Sequence, residues 1–280
     1  MSNFVTRLEQ ACEANQSLVC VGLDVDPPRM PVDDTFAFNR AIIDATCDLV
    51  CAYKPNLGFY EAMGLPGLTA LQRTVEYIRH ASPQAMIIGD AKRGDIGSTA
   101  EVYAKAMFQV WGFDAATVNA WGGRDTLEPY LEYEDRGIFI WCRGSNPGSA
   151  DLQDLIVDTP QGKLPLYQHL AQAAQTWNSR GNVGLVMGAT RPEQLGAVRQ
   201  ICPALPLLIP GVGAQSGELE AIVPLGIDAR GRLAIINSSR AIIYASEGPD
   251  FAQAARREAA RLRDAANRIL ESAGKGWPSS

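Results

Sequence analysis

Eight short apolar runs rich in Val and Ile, each closing on a polar residue or a glycine, recur along this chain with longer stretches of helical period between them. Runs of this length suit buried strands, and alternation with helix-length spacers is the pattern of repeated βα units around a parallel sheet. The runs lie at 18–23, 49–53, 85–89, 115–119, 137–142, 183–187, 205–209 and 233–236. The helical stretches lie at 36–47, 68–80, 98–111, 126–134, 166–178, 192–201, 218–224 and 251–271. Eight such pairs in 280 residues, near the ~250 usual for the class, predict an α/β chain folded as a TIM (β/α)8 barrel. A doubly wound open sheet is the alternative. No repeat, low-complexity tract or shift of composition marks a second domain, so residues 1–273 are expected to form one catalytic barrel, with 274–280 as a flexible tail. The segment 143–162, with Asn146, Pro147, Gly148, Asp151 and Asp154, reads as one long loop, and loops of that length are commonly functional.

Charge narrows the function. With 31 acidic against 25 basic residues the formal charge is -6, which gives no general attraction for nucleic acid or for an anionic membrane, so a phosphate site must be a local arrangement. The cysteines, at positions 12, 20, 47, 51, 142 and 202, form no Cys-x-x-Cys pair, and the two histidines are too scattered to complete a zinc site with them. Reduced, buried thiols in a cytoplasmic protein are expected. Residues 1–10 carry Arg7 and Glu9 without an apolar stretch, unlike a secretory signal, and no window approaches the length of a membrane span.

Catalytic groups of this fold sit where strands end and the βα loops begin. The first run ends at Asp24 and the second at Lys54. The third ends in Asp90-Ala91-Lys92-Arg93-Gly94-Asp95-Ile96, the densest charge in the chain, directly after Met86-Ile87-Ile88. If the strand continues through them, Asp90 and Lys92 share a face, which at a barrel's mouth points inward. Burying opposite charges together rarely improves stability, so this cluster is read as chemical in purpose rather than as a solvated ion network. Neighbouring carboxylates favour the ammonium form of Lys92, which makes it an acid and not a Schiff-base nucleophile. The seventh run leads through Pro210 and Gly211 into a glycine-rich turn holding Gln215, a candidate anion nest, and the eighth leads to Arg240; in TIM barrels these two loops often hold phosphate. His80 and His169 have no partners, the Arg-rich face of 256–268 suits a solvated helix, and Trp111, Trp121, Trp141 and Trp177 read as packing residues.

The stretch Asp90-x-Lys92-x-x-Asp95-Ile96, with Thr99 four residues after the second Asp, resembles the motif of the orotidine 5′-phosphate decarboxylase family. The resemblance extends to Asp24, Lys54-Pro55-Asn56, Pro210 through Gln215, and Arg240; the context of Lys54, the run from Cys142 to Ser149 and the length look like the longer bacterial (type 2) subfamily. It implies decarboxylation of orotidine 5′-phosphate to uridine 5′-phosphate (UMP) without metal or organic cofactor. Lys92 would be the proton donor, Asp90 the neighbour of the substrate carboxylate, and Lys54 the link from Asp90 to the ribose hydroxyls. Asp24 would bind ribose, Ser145 would meet the pyrimidine edge, and Pro210, Gln215 and Arg240 would line or hold the phosphate. Asp95 and Thr99 would enter from a partner subunit, so the resemblance implies a homodimer. Two alternatives stand beside it: a magnesium-dependent sugar-phosphate enzyme of the same superfamily, in which a Glu would replace Lys54, and a barrel that binds nucleotides without catalysis.

Overall fold

The eight apolar runs become the staves of a closed parallel barrel in a computed structural model that describes residues 3–160, 162–212 and 216–278, with backbone alone at 216–218. In chain order the strands are β1 (Val19–Gly22), β2 (Ala52–Lys54), β3 (Met86–Arg93), β4 (Ala115–Val118), β5 (Gly137–Arg143), β6 (Ile156–Thr159), β7 (Gly162–Pro165), β8 (Val183–Met187), β9 (Leu207–Pro210) and β10 (Ala234–Ser238). The barrel runs from β1 to β5, continues through β8, β9 and β10, and closes on β1; β6 and β7 pair antiparallel outside it. A closed ring leaves no free edge, so the open-sheet alternative is set aside. Val, Ile, Leu and Ala fill the staves because each strand is covered by barrel interior on one face and helices on the other.

The helices are α1 (Phe4–Ala14), α2 (Thr35–Thr46), α3 (Leu57–Ala62), α4 (Gly64–Ala81), α5 (Gly97–Lys105), α6 (Glu128–Leu131), α7 (Ala150–Gln153), α8 (Leu166–Trp177), α9 (Pro192–Ile201), α10 (Ser216–Gly226), α11 (Arg240–Ile243) and α12 (Phe251–Ser272). None among the described residues is long and apolar enough to cross a membrane. The stretch expected as one helix at 98–111 is α5 followed by a π-type turn at Ala106–Val110. Helix α1 was not expected. Its Asn3 cap accepts a hydrogen bond from the N–H of Thr6 at 2.9 Å, and its face of Phe4, Leu8, Ala11 and Cys12 is buried. Phe4 packs so closely on the start of β5 that a Cβ at Gly137 would lie 2.3 Å from its ring.

One expectation needs correction. The segment 143–162 is not an irregular loop: it contains a 3₁₀ turn at Pro147–Ser149, α7 and the first strand of the β6–β7 hairpin. Its organiser is Arg143, fully buried, whose guanidinium donates to Ser149, to Gln153 Oε1 at 3.3 Å and to Asp154 Oδ2 at 2.9 Å. Past α12 the chain makes contacts of its own at 275–277. Arg232 donates to the carbonyls of Lys275 and Gly276, and its guanidinium lies 3.8 Å from the Trp277 ring, whose Nε1 donates to Asn267.

At the end of the barrel where strands begin, Asp114 is fully buried beneath Arg7, Arg79 at 2.6 Å and Arg136 at 3.2 Å, and it accepts from the N–H of Ile87. That end of the fold serves stability. The chemistry belongs at the other.

Candidate active site

The strand ends converge on a cavity of 710 Å³ at the opposite mouth, within the range of small-molecule sites. Asp24, Lys54, Asp90, Lys92, Ser145, Pro210 and Arg240 all line it, as the sequence predicts. At its floor the side chain of Asp90 is only 8% exposed and is held between two ammonium groups. Lys54 Nζ lies 2.7 Å from Oδ2 and Lys92 Nζ 2.6 Å from Oδ1. Lys54 also stands 3.8 Å from Asp24 Oδ1, a buried oxygen with no hydrogen-bond donor among the described residues, whereas Lys92 keeps about a third of its side chain open to the cavity. Two residues apart on β3, Asp90 and Lys92 do meet, but not through regular pleating. Gly89 pairs with Ala116 and Arg93 with Val118, so two extra residues of β3 are accommodated in between, and Lys92 takes the left-handed φ of 45°.

The electrostatics follow from that packing. Burial alone would disfavour the charged form of Asp90, but the charges of Lys54 and Lys92 and their hydrogen bonds outweigh it and hold the carboxyl far below its ordinary range. For Lys54 burial again opposes the charge, and Asp90 and Asp24 overcome it, keeping the ammonium well above the ordinary lysine value. Asp90's depressed value contributes stability that is complete above the ordinary 3.8 and is lost as pH falls towards the depressed one; Lys54's raised value contributes stability complete below 10.5 and lost as pH rises past it. Between about pH 5 and pH 9 neither group should change charge. Urea unfolding in that window is therefore expected to show no midpoint shift that Asp90→Asn removes.

The rest of the mouth is shaped by less predictable neighbours. Trp141, expected as packing, lines the cavity instead, with its ring 6.0 Å from Lys92 Nζ. Trp141 pairs with Val186 in regular register, and one extra residue of β5 is accommodated only after it, before Arg143. Ser145 is seated against Gly188, where a Cβ would come within 2.7 Å of its backbone nitrogen. Thr117, Asn56, Arg29 and Asn237 also line the cavity and were not anticipated. Asp24, Asp90, Lys54 and Lys92 sum to zero charge. Among the described residues neither Arg29 nor Arg240 has a carboxylate partner, so the mouth is locally positive in an acidic chain.

Not every expected residue is here. Asp95 and Thr99 are exposed and outside the cavity of a single chain, with Asp95 turned to the N–H of Ile96 at 2.8 Å. Gln215 and the nest expected around it lie outside the described residues. His80 and His169 do not line the cavity, and all six cysteines are free thiols. Among the described residues no group of three His, Cys, Asp or Glu side chains is arranged to hold a metal ion.

Comparison with known proteins gives this geometry a context. A family model described as "Orotidine 5′-phosphate decarboxylase / HUMPS family" matches residues 17–257. The curated orotidine 5′-phosphate decarboxylase of Roseiflexus castenholzii is 50% identical over 275 residues, spanning 96% of this chain and 98% of that protein. That of Cellvibrio japonicus is 48% identical over 274 residues, covering 95% and 98%. Among solved structures, the OMP decarboxylase of Leishmania donovani superposes with a TM-score of 0.82 at 34% identity, covering 96% of this chain and 98% of that one.

Proposed function

This chain belongs to the orotidine 5′-phosphate decarboxylase family, and we propose that Lys92 is the acid with which it converts orotidine 5′-phosphate to UMP and carbon dioxide, the closing reaction of de novo UMP synthesis. The observation that carries this assignment is the Lys54–Asp90–Lys92 chain at the floor of the cavity, in which only Lys92 keeps an open side. In the reaction the bond from C6 to the carboxylate breaks, carbon dioxide leaves, and the electron pair stays on C6. Lys92 Nζ gives up a proton to that carbon and recovers one from solvent.

Magnitudes decide what drives the step. Repulsion between Asp90 and a substrate carboxylate about 4 Å away, at an effective dielectric near 20, is worth roughly 4 kcal/mol. The slowest uncatalysed reactions need on the order of 20 kcal/mol of barrier reduction. Repulsion is therefore the minor part. The larger part is a fixed ammonium facing charge that exists only in the transition state, inside a cavity that substrate empties of water. Its orientation is set before substrate arrives, because Asp90 holds it.

The substrate's other groups find matching chemistry. Asp24 Oδ1, buried and without a donor among the described residues, suits a ribose hydroxyl, and the charge of Lys54 keeps Asp24 and Asp90 compatible. Arg240 and Arg29 supply positive charge at the rim for the phosphate, with Gln215 a further phosphate ligand and Pro210 its wall. Ser145 faces the pyrimidine edge. Asp95 and Thr99 complete the site from a second copy in a homodimer: they are exposed beside Ile96 and Val102, 66% and 59% exposed, on a surface that includes the start of α5. The reaction needs no metal or organic cofactor and takes place in the cytoplasm.

The metal-dependent alternative asks for a carboxylate at the end of β2. An ammonium stands there, bonded to the one carboxylate such a site would share. Loss of orotidine 5′-phosphate absorbance, followed with purified protein in excess chelator, tests the assignment. Full turnover is expected. Turnover that requires added magnesium would favour the alternative, and nucleotide binding without turnover would favour a silent barrel.

A further inference from the structure

We infer that Thr117, on β4, is a positioning residue that sets the reactive geometry of Lys92 and Asp90; this rests on the role proposed above for Lys92. Its single hydroxyl makes three contacts, all inside one short stretch of β3. Thr117 Oγ1 donates to Asp90 Oδ1 at 2.9 Å and accepts from the backbone N–H groups of Ala91 at 3.0 Å and Lys92 at 2.9 Å. A hydroxyl has one hydrogen to donate and two lone pairs to accept with, so its capacity is filled by this stretch alone. Thr117 is buried, 1% exposed.

The irregularity of β3 explains why such a group is required. Between Gly89 and Arg93 three residues of β3 stand opposite Thr117 alone. The N–H groups of Ala91 and Lys92 therefore have no ladder partner on β4, and an unpaired buried N–H is costly. The Thr117 hydroxyl takes both. In doing so it supports the left-handed backbone of Lys92, a conformation an L-residue adopts only where its surroundings impose it. The same oxygen, through its hydrogen, orients the Asp90 carboxylate oxygen that receives Lys92 Nζ at 2.6 Å. Backbone and side chain of the acid are thus fixed from one atom that lies on a different strand. Deleting the hydroxyl leaves every ionic group in place but frees the segment that aims them.

Three variants separate aiming from mere packing. Thr117→Val keeps shape and removes the hydroxyl; Thr117→Ala removes both; Thr117→Ser keeps the hydroxyl alone. Loss of alignment at a reacting centre can cost about 10²-fold. Thr117→Val and Thr117→Ala are each expected to lower kcat by about 10- to 100-fold, with KM and UMP affinity within about threefold of the parent, and Thr117→Ser to restore kcat to within about threefold. Parental kcat in Thr117→Val would overturn the inference. So would a serine variant no better than alanine, or equal losses in kcat and UMP affinity. If neither hydroxyl-free variant folds, judged by circular dichroism, while the serine variant folds and is active, the residue is structural and the inference also fails. A parent chain that consumes no orotidine 5′-phosphate would instead defeat the assignment of the reaction.

Discussion

Lys92→Ala is expected to lower kcat by more than about 10²-fold, and by up to about 10⁷-fold, while UMP still binds. The magnitude comes from two roles that one side chain fills. A positioned acid contributes about 10²- to 10⁴-fold and a fixed charge facing a developing anion about 10²- to 10³-fold. The two are not independent, so their product is an upper bound. The fold should survive the change, because Asp90 keeps Lys54 at 2.7 Å and Thr117 at 2.9 Å, and the charge removed is the partly open one. Single-turnover decarboxylation measured alongside UMP titration checks this. Activity within about a hundredfold of the parent would remove Lys92 from the role of acid.

The second large effect lies at the rim. Arg240→Ala is expected to reduce kcat/KM by about 30- to 400-fold, chiefly through KM. Arg240 lines the cavity, is exposed and has no carboxylate partner among the described residues, so its guanidinium is available to a dianion. Truncating one side of a charged hydrogen-bonded pair costs about 2–5 kcal/mol, and an exposed position favours the lower half of that range. Arg is suited to the task because its planar fork can engage two phosphate oxygens together. The effect should shrink for a substrate without phosphate, since the lost contact is then absent in both enzymes. An unchanged kcat/KM for orotidine 5′-phosphate would move the phosphate elsewhere in the cavity.

The parts of this site that the sequence disclosed share one physical cause. Asp24, Lys54, Asp90, Lys92 and Arg240 are charges placed directly after runs that must be buried, and in a parallel barrel that position is the mouth. The barrel itself was legible because all eight staves are covered on both sides and so read as continuous apolar runs. What escaped depends on departures from regularity. Trp141 belongs to such a run and reads as core, yet it stands at the end of β5 where the strand opens onto the cavity. Arg143 looked like the opening of a loop because its partners Ser149, Gln153 and Asp154 form their turn only around the buried guanidinium. The docking of Trp277 depends on Arg232, 45 positions away, a distance no local pattern spans. Two signals were present and went unread. Phe4, Leu8, Ala11 and Cys12 have helical spacing, and Thr117 is the one polar residue of Ala115-Ala116-Thr117-Val118, where a hydroxyl must find partners. Asp95 and Thr99 were named from the family motif, and their exposure in one chain is what a site shared between two subunits requires.

The most direct test is a crystal structure of the protein with UMP bound. The account predicts Lys92 Nζ within about 3.5 Å of C6, on the side from which carbon dioxide departs, with Asp90 still bridging it to Lys54. An ammonium directed away from the base, with another donor or an ordered water at C6, would contradict it.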